Sequence, residues 1–299
     1  MKIHLKRLFT LVSVVVLATI LTSQIFAQTG MPVTDIAMLE INADFSPNKA
    51  SFIPLTERKG YDNQPHFAKN NLLYWTRHSD GQTDIWQMNL DSQKQSALTK
   101  TAESEYSPTL MPGAKRFSVI QVEGDGTQRL WSFDLTGKSP KLVLEDIKPV
   151  GYHVWLDADT LGLFILGEQG MTLQLAKVSE GIARVLDIHI GRSLHKVPGK
   201  KAFSYTVHNE SHNEKKNEIR VYNLVTESSS FLATPRKDAQ DYLWLSDGSI
   251  LMGQGNTIYR WKDGNWAVWA EFPALGEISR LALSPDGNKL ALVHGPVTK

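Results

Sequence analysis

Thr83-Asp84-Ile85-Trp86-Gln87-Met88-Asn89-Leu90 is the stretch whose reading decides the fold. An earlier copy is Thr34-Asp35-Ile36-Ala37-Met38-Leu39-Glu40-Ile41, and weaker copies centre on Leu130, Leu173, Ile219 and Ile258. Aligned on Ile36, Ile85, Leu130, Leu173, Ile219 and Ile258, the copies step by 49, 45, 43, 46 and 39 residues. A strand-like unit repeated about every 40–45 residues is the mark of propeller blades.

Around this strand each unit carries the rest of a blade. A short strand comes first, such as Pro65-His66-Phe67 or Pro108-Thr109-Leu110. A tight turn follows at Pro112-Gly113, Pro198-Gly199, Asp247-Gly248 or Ser284-Pro285-Asp286-Gly287. These residues supply the fixed or positive φ that hairpin turns need. Next come an apolar strand, as in Leu72-Leu73-Tyr74-Trp75-Thr76, and a polar hairpin, as in His78-Ser79-Asp80-Gly81. The quoted strand then leads to a short closing strand ending in Leu98-Thr99 or Ala233-Thr234. Length and β-branched or aromatic content fit strands, and no segment sustains a capped helical period. Trp86, Trp131, Trp155, Trp244 and Trp261 recur at repeat positions and are expected to pack between blades.

The strand count predicts how the ring closes. The sixth unit ends at Val293-His294-Gly295 after two strands, and the chain begins with the two that are missing. Residues 34–56 and 277–294 are therefore expected to form one blade, which gives an all-β, six-bladed propeller of four-stranded blades. Closure of this kind leaves no open seam between first and last blades.

Residues 1–27 read as a secretory signal peptide. Lys2, Lys6 and Arg7 precede the apolar run Leu8–Leu21, and Ala27 stands at the expected cut. The run is shorter than the ~20 residues that span a bilayer. The expected product is a soluble, periplasmic or secreted monomer of residues 28–299, forming a single domain. Cysteine is absent, so burial must hold it together without disulfides. Without the leader, 29 basic residues face 31 acidic ones. That balance argues against nucleic acid and against an electrostatic membrane binder.

The repeat alignment brings the starts of the inner strands to one axial mouth. It names His66, Tyr106, Tyr152, Arg192, His195, Asp241, Tyr242 and Arg280 as candidate ligand-binding residues. Such an aromatic and basic mouth suits a polar ligand with an acidic group. Arg192, Arg280 and Asp241 are expected to form an Arg–Asp network there. His208, Glu210 and His212 would share one face of an extended strand, a pattern open to zinc. The Lys215-Lys216-Asn217 that follows favours a solvated polar hairpin, and neither a metal nor another cofactor is expected. Glu103 and Glu105 alternate on one segment, which does not make a glycosidase pair. No Gly-x-Ser-x-Gly elbow occurs.

With these residues in view, the chain resembles the TolB-like propeller repeat, also called WD40-like or PD40. Ser284-Pro285-Asp286-Gly287, Asp84-Ile85-Trp86, Asp134-Leu135 and Leu98-Thr99 match that unit, and the resemblance spans most of residues 34–294. It implies an isolated propeller, since the chain has no room for the extra N-terminal domain of TolB or the hydrolase domain of the peptidase relatives. The function implied is non-enzymatic binding or scaffolding of an envelope protein, a peptide or a small anionic ligand at the mouth. The alternative is a small propeller enzyme, a lyase or lactonase-like hydrolase, acting at the same place.

Overall fold

The computed structural model describes residues 30–211 and 214–297. The expected leader lies outside them. Their regular structure is strand throughout, and no helix among them is long and apolar enough to cross a membrane.

The first strands are β1 (Asp35–Ile41) and β2 (Pro47–Pro54). Blade 1 follows as β3 (Asp62–Lys69), β4 (Leu72–Ser79), β5 (Gln82–Asn89) and β6 (Lys94–Ala97). Blade 2 is β7 (Ser104–Leu110), β8 (Arg116–Val122), β9 (Gln128–Asp134) and β10 (Lys141–Leu142). Blade 3 is β11 (Val150–Trp155), β12 (Thr160–Ile165), β13 (Thr172–Lys177) and β14 (Ile182–Ile188). Blade 4 is β15 (Ile190–Lys196), β16 (Ala202–Ser211), β17 (Glu214–Asn223) and β18 (Ser228–Ala233). Blade 5 is β19 (Tyr242–Trp244), β20 (Ile250–Gln254), β21 (Thr257–Lys262) and β22 (Asn265–Glu271). Blade 6 joins β23 (Ile278–Leu283) and β24 (Lys289–His294) to β1 and β2, in the order β2-β1-β24-β23.

The sixth blade is thus shared between the two ends of the chain, as the strand count requires. β1 lies antiparallel to β24 from Asp35↔His294 to Glu40↔Lys289. The inner hairpins turn where the sequence places Gly, with φ of 86° at Gly113, 81° at Gly248 and 76° at Gly287. A side chain would be strained there.

Both faces of a blade are covered, so period-2 alternation sends successive residues to opposite neighbours. In β1, Ile36 and Met38 pack towards blade 1, whereas Ala37, Leu39 and Ile41 pack towards blade 5. Six apolar clusters result, one between each pair of adjacent blades. A repeated polar lock supplements them. In blade 3, Trp155 donates its indole N–H to Ser118 Oγ of blade 2 (2.9 Å), and His153 Nε2 lies 2.7 Å from the same oxygen. In blade 5, Trp244 and the Tyr242 hydroxyl both donate to Ser204 Oγ of blade 4 (2.8 and 2.7 Å). His153 and Tyr242 are therefore equivalent, each two residues before its Trp.

The inner strands begin earlier than their prolines suggest. β3 starts at Asp62 and β7 at Ser104, ahead of Pro65 and Pro108. The register shifts between Asn63 and His66 and between Tyr106 and Thr109. Each proline follows a residue of positive φ, Gln64 (56°) or Ser107 (54°). At such a bulge no ladder hydrogen bond is lost to proline.

Candidate functional site: an axial mouth and waist

Six inner strands run alongside one axis, and the N-terminal ends of five of them, β3, β7, β11, β15 and β23, line a cavity of about 770 Å³. Tyr106, Tyr152, Arg192 and Arg280 line it, each the third residue of its strand. The bulges and strand starts bring these side chains to one level. Below them a waist of about 280 Å³ is lined by His66, His153, His195, Asp241 and Tyr242 among others. Gln64, Tyr152, Arg192 and Arg280 border both spaces.

Asp241 lies between the two arginines. Its Oδ2 accepts from Arg192 Nε at 2.8 Å and also from Arg192 Nη2, and Arg280 Nη1 is 3.7 Å from Oδ1. Arg280 Nη2 donates to the Tyr152 hydroxyl (2.9 Å), and its guanidinium carbon lies 5.2 Å from the centre of that ring. Burial works to lower the Arg280 pKa, but the Asp241 charge, with Tyr152 and Tyr61, holds it above its ordinary value. One carboxylate thus serves two guanidiniums, leaving one positive charge at the junction. Burial pushes the Tyr61 phenol up to about 12, so it remains a neutral hydroxyl at the cavity wall.

The histidines sit deeper than the mouth. His66 is the fifth residue of β3, and its Nε2 accepts the Leu110 N–H of blade 2 at 2.9 Å. His195 is the sixth residue of β15, with Nε2 3.0 Å from Ser193 Oγ and its ring 4.8 Å from that of Tyr242. Burial lowers His66 to about 4, and it lowers His195 to about 4 against the opposing pull of Asp241. His153 falls to about 3, through burial first and the neighbouring His66 second. All three are neutral above pH 6. Tyr242 is 1% exposed, and its hydroxyl is committed to the blade 4–blade 5 lock.

Of the eight residues named from sequence, the structure therefore gathers Tyr106, Tyr152, Arg192, Arg280 and Asp241 at the mouth and its floor. It carries His66, His195 and Tyr242 further down the channel. Sequence reading missed Tyr61 and Gln64. Tyr61 precedes β3 and is held at the rim by a bridge to Thr34, and the next unit has Ser104 at its place, so the repeat gave no sign of it. Gln64 Oε1 accepts from Ser107 N (2.7 Å) and Thr76 Oγ1 (2.8 Å), tying blade 1 to blade 2 at the axis. Of the zinc pattern at His208–His212, Glu210 and His212 side chains lie outside the described residues. His208 Nδ1 is 2.9 Å from Asn217 Oδ1 across the hairpin.

A ring of six four-stranded blades around a charged axial mouth defines a six-bladed β-propeller of TolB-like fold. A putative TolB from Agrobacterium tumefaciens is similar, with TM-score 0.69 at 13% identity over 90% of this chain and 100% of that one. A gluconolactonase from Xanthomonas campestris has TM-score 0.62 at 9% identity over 89% and 97%. An oligogalacturonate lyase from Vibrio parahaemolyticus has TM-score 0.57 at 11% identity over 86% and 82%. At these identities the likeness is one of fold. No family model matches the chain, and no curated protein matches it.

Proposed function

We propose that this is an exported binding propeller that holds an anionic ligand, a carboxylate on a small molecule or a peptide, at its axial mouth. The observation that carries this reading is the Arg192–Asp241–Arg280 group beside Tyr61, Tyr106 and Tyr152. Guanidiniums offer planar forks suited to carboxylates, and tyrosine hydroxyls add neutral donors. The depth of the site keeps solvent screening low.

The test is calorimetric titration with a carboxylate panel against wild type and a variant lacking both arginines. Arg192→Met with Arg280→Met alone would strand Asp241, whose side chain is 9% exposed, so Asp241→Asn belongs in the same variant. The triple variant should melt as wild type does and lose anion affinity by about tenfold or more. A ligand bound equally by both proteins would move the function to a blade edge.

A second reading, hydrolysis or elimination at the same mouth, draws on the gluconolactonase and lyase of similar fold. The hydroxyl of Tyr152 is the observation that favours it, since the hydrogen bond from Arg280 orients a proton-bearing group at the wall of the mouth. Turnover of a lactone or uronate that is lost in Tyr152→Phe would support it.

A further inference from the structure

The mouth is not uniformly polar. Met31, Pro32, Val33, Val122, Leu166 and Pro296 also line it, and Val33, Val122 and Leu166 lie on the side of blades 1–3, across the ring from the Arg192–Asp241–Arg280 group of blades 4–6. Two segments outside the blades, residues 31–33 and Pro296, contribute four of these six. Thr34 anchors the first segment at the rim. Its N–H donates to Gly60 O (2.9 Å), its carbonyl accepts from Asp62 N (3.0 Å) and its hydroxyl donates to Asp62 O (2.9 Å). Val33 is thereby held 43% exposed over an open cavity. A β-branched side chain fixed at the rim, with Val122 and Leu166 lining the same side of the opening, is exposed at a cost that a bound apolar group would remove. The formal charge on the floor is that of two arginines and Asp241, one positive in all. Glu277 also lines the rim, but it is exposed and screened by water.

We infer that the mouth takes an amphipathic monocarboxylate, with its single carboxylate on the Arg192/Arg280 side and an apolar body against the Val33–Val122–Leu166 wall. This rests on the proposed binding at the mouth and adds the ligand class. A volume of about 770 Å³ is ample for such a molecule. Hydrophilic sugar acids would leave the apolar side chains of the mouth wet. The carboxylate could belong to a free acid or to the chain end of a peptide with apolar side chains, which present the same chemistry.

Calorimetry on the mature chain tests this with 4-phenylbutyrate, its neutral amide 4-phenylbutyramide, galacturonate, and the peptide acetyl-Gly-Leu-Phe as acid and as amide. Phenylbutyrate should bind on the order of tenfold or more tighter than galacturonate and than its own amide. Val33→Ser combined with Val122→Thr should weaken phenylbutyrate severalfold and leave galacturonate unchanged. Galacturonate binding as tightly as phenylbutyrate would overturn the apolar ligand and leave the anion site standing. Equal binding of acid and amide would instead defeat the anion site and leave the apolar wall standing. No binding of any probe would overturn both. The stronger of the peptide acid and phenylbutyrate tells whether a chain end or a free acid is the source.

Discussion

Asp62 and Glu105 occupy the same place in successive units, two residues before the positive-φ bulges at Gln64 and Ser107, and both are 0% exposed. Their company differs completely. Asp62 accepts from Arg58 Nε (2.7 Å), Arg77 Nε (2.6 Å) and the Trp75 indole (2.7 Å). Among the described residues, Glu105 has only hydroxyl partners, Thr99 Oγ1 at 2.9 Å and Thr101 Oγ1. Burial pushes its pKa up to about 7 against those two hydrogen bonds, with Asp84 and Glu103 adding to the rise. Asp62 stands at the joint that ties the donated strands of blade 6 to blade 1, through Thr34 and Arg58. Glu105 stands at the ordinary joint between blades 1 and 2. The comparison teaches that the repeat places a carboxylate at each of these two joints, and that its neighbours decide whether it gathers charged and indole donors, as Asp62 does, or sits among hydroxyls with a raised pKa, as Glu105 does.

The most severe way to break the closing joint is to delete residues 28–56. That removes β1 and β2 and bares β24, whose Leu290 and Leu292 are fully buried. The product should aggregate, and a monomer with an unchanged melting curve would refute the closing role of these strands. Asp62→Ala comes next. It leaves the guanidiniums of Arg58 and Arg77, 29% and 10% exposed, without their carboxylate, and should cost about 3–5 kcal/mol in denaturant unfolding. A loss below about 1 kcal/mol would show that the tie is dispensable.

Glu105→Gln should act in the opposite direction and less strongly. A carboxyl with a raised folded pKa contributes most below its ordinary 4.5, and that contribution is lost as pH rises through about 7. The variant should therefore match wild type near pH 5 and exceed it by about 2 kcal/mol at pH 8. The difference between the two proteins must be read, because the histidines dominate the raw curve at acid pH. His66, His153 and His195 have depressed pKa values, so their contribution is present above 6.5 and lost as pH falls. A constant difference between variant and wild type from pH 5 to 8 would show that Glu105 does not titrate in this range.

Much of the fold was legible because it is periodic. The six copies from Ile36 to Ile258, the Asp-Gly and Pro-Gly turns and the two-strand deficit at the C-terminus fixed the blade count and the closure. The edges were less legible, since Pro65 and Pro108 hid the bulges before them and shifted the apparent strand starts. That shift placed His66 at the mouth when it lies at the waist. The Arg192–Asp241–Arg280 group was readable because ring order alone brings these strand starts together. The Asp62 tie was not, because it joins a linker residue, an indole and a second-strand arginine that no single period relates. Tyr61 and the apolar rim at residues 31–33 were invisible for a similar reason, as they belong to connections outside the repeat.

The most direct test of the functional account is a crystal structure of the mature chain grown with 4-phenylbutyrate. The account places the carboxylate within hydrogen-bond reach of Arg192 and Arg280 and the phenyl ring against Val33 and Val122. A mouth without ligand beside an occupied site elsewhere on the blades would contradict it.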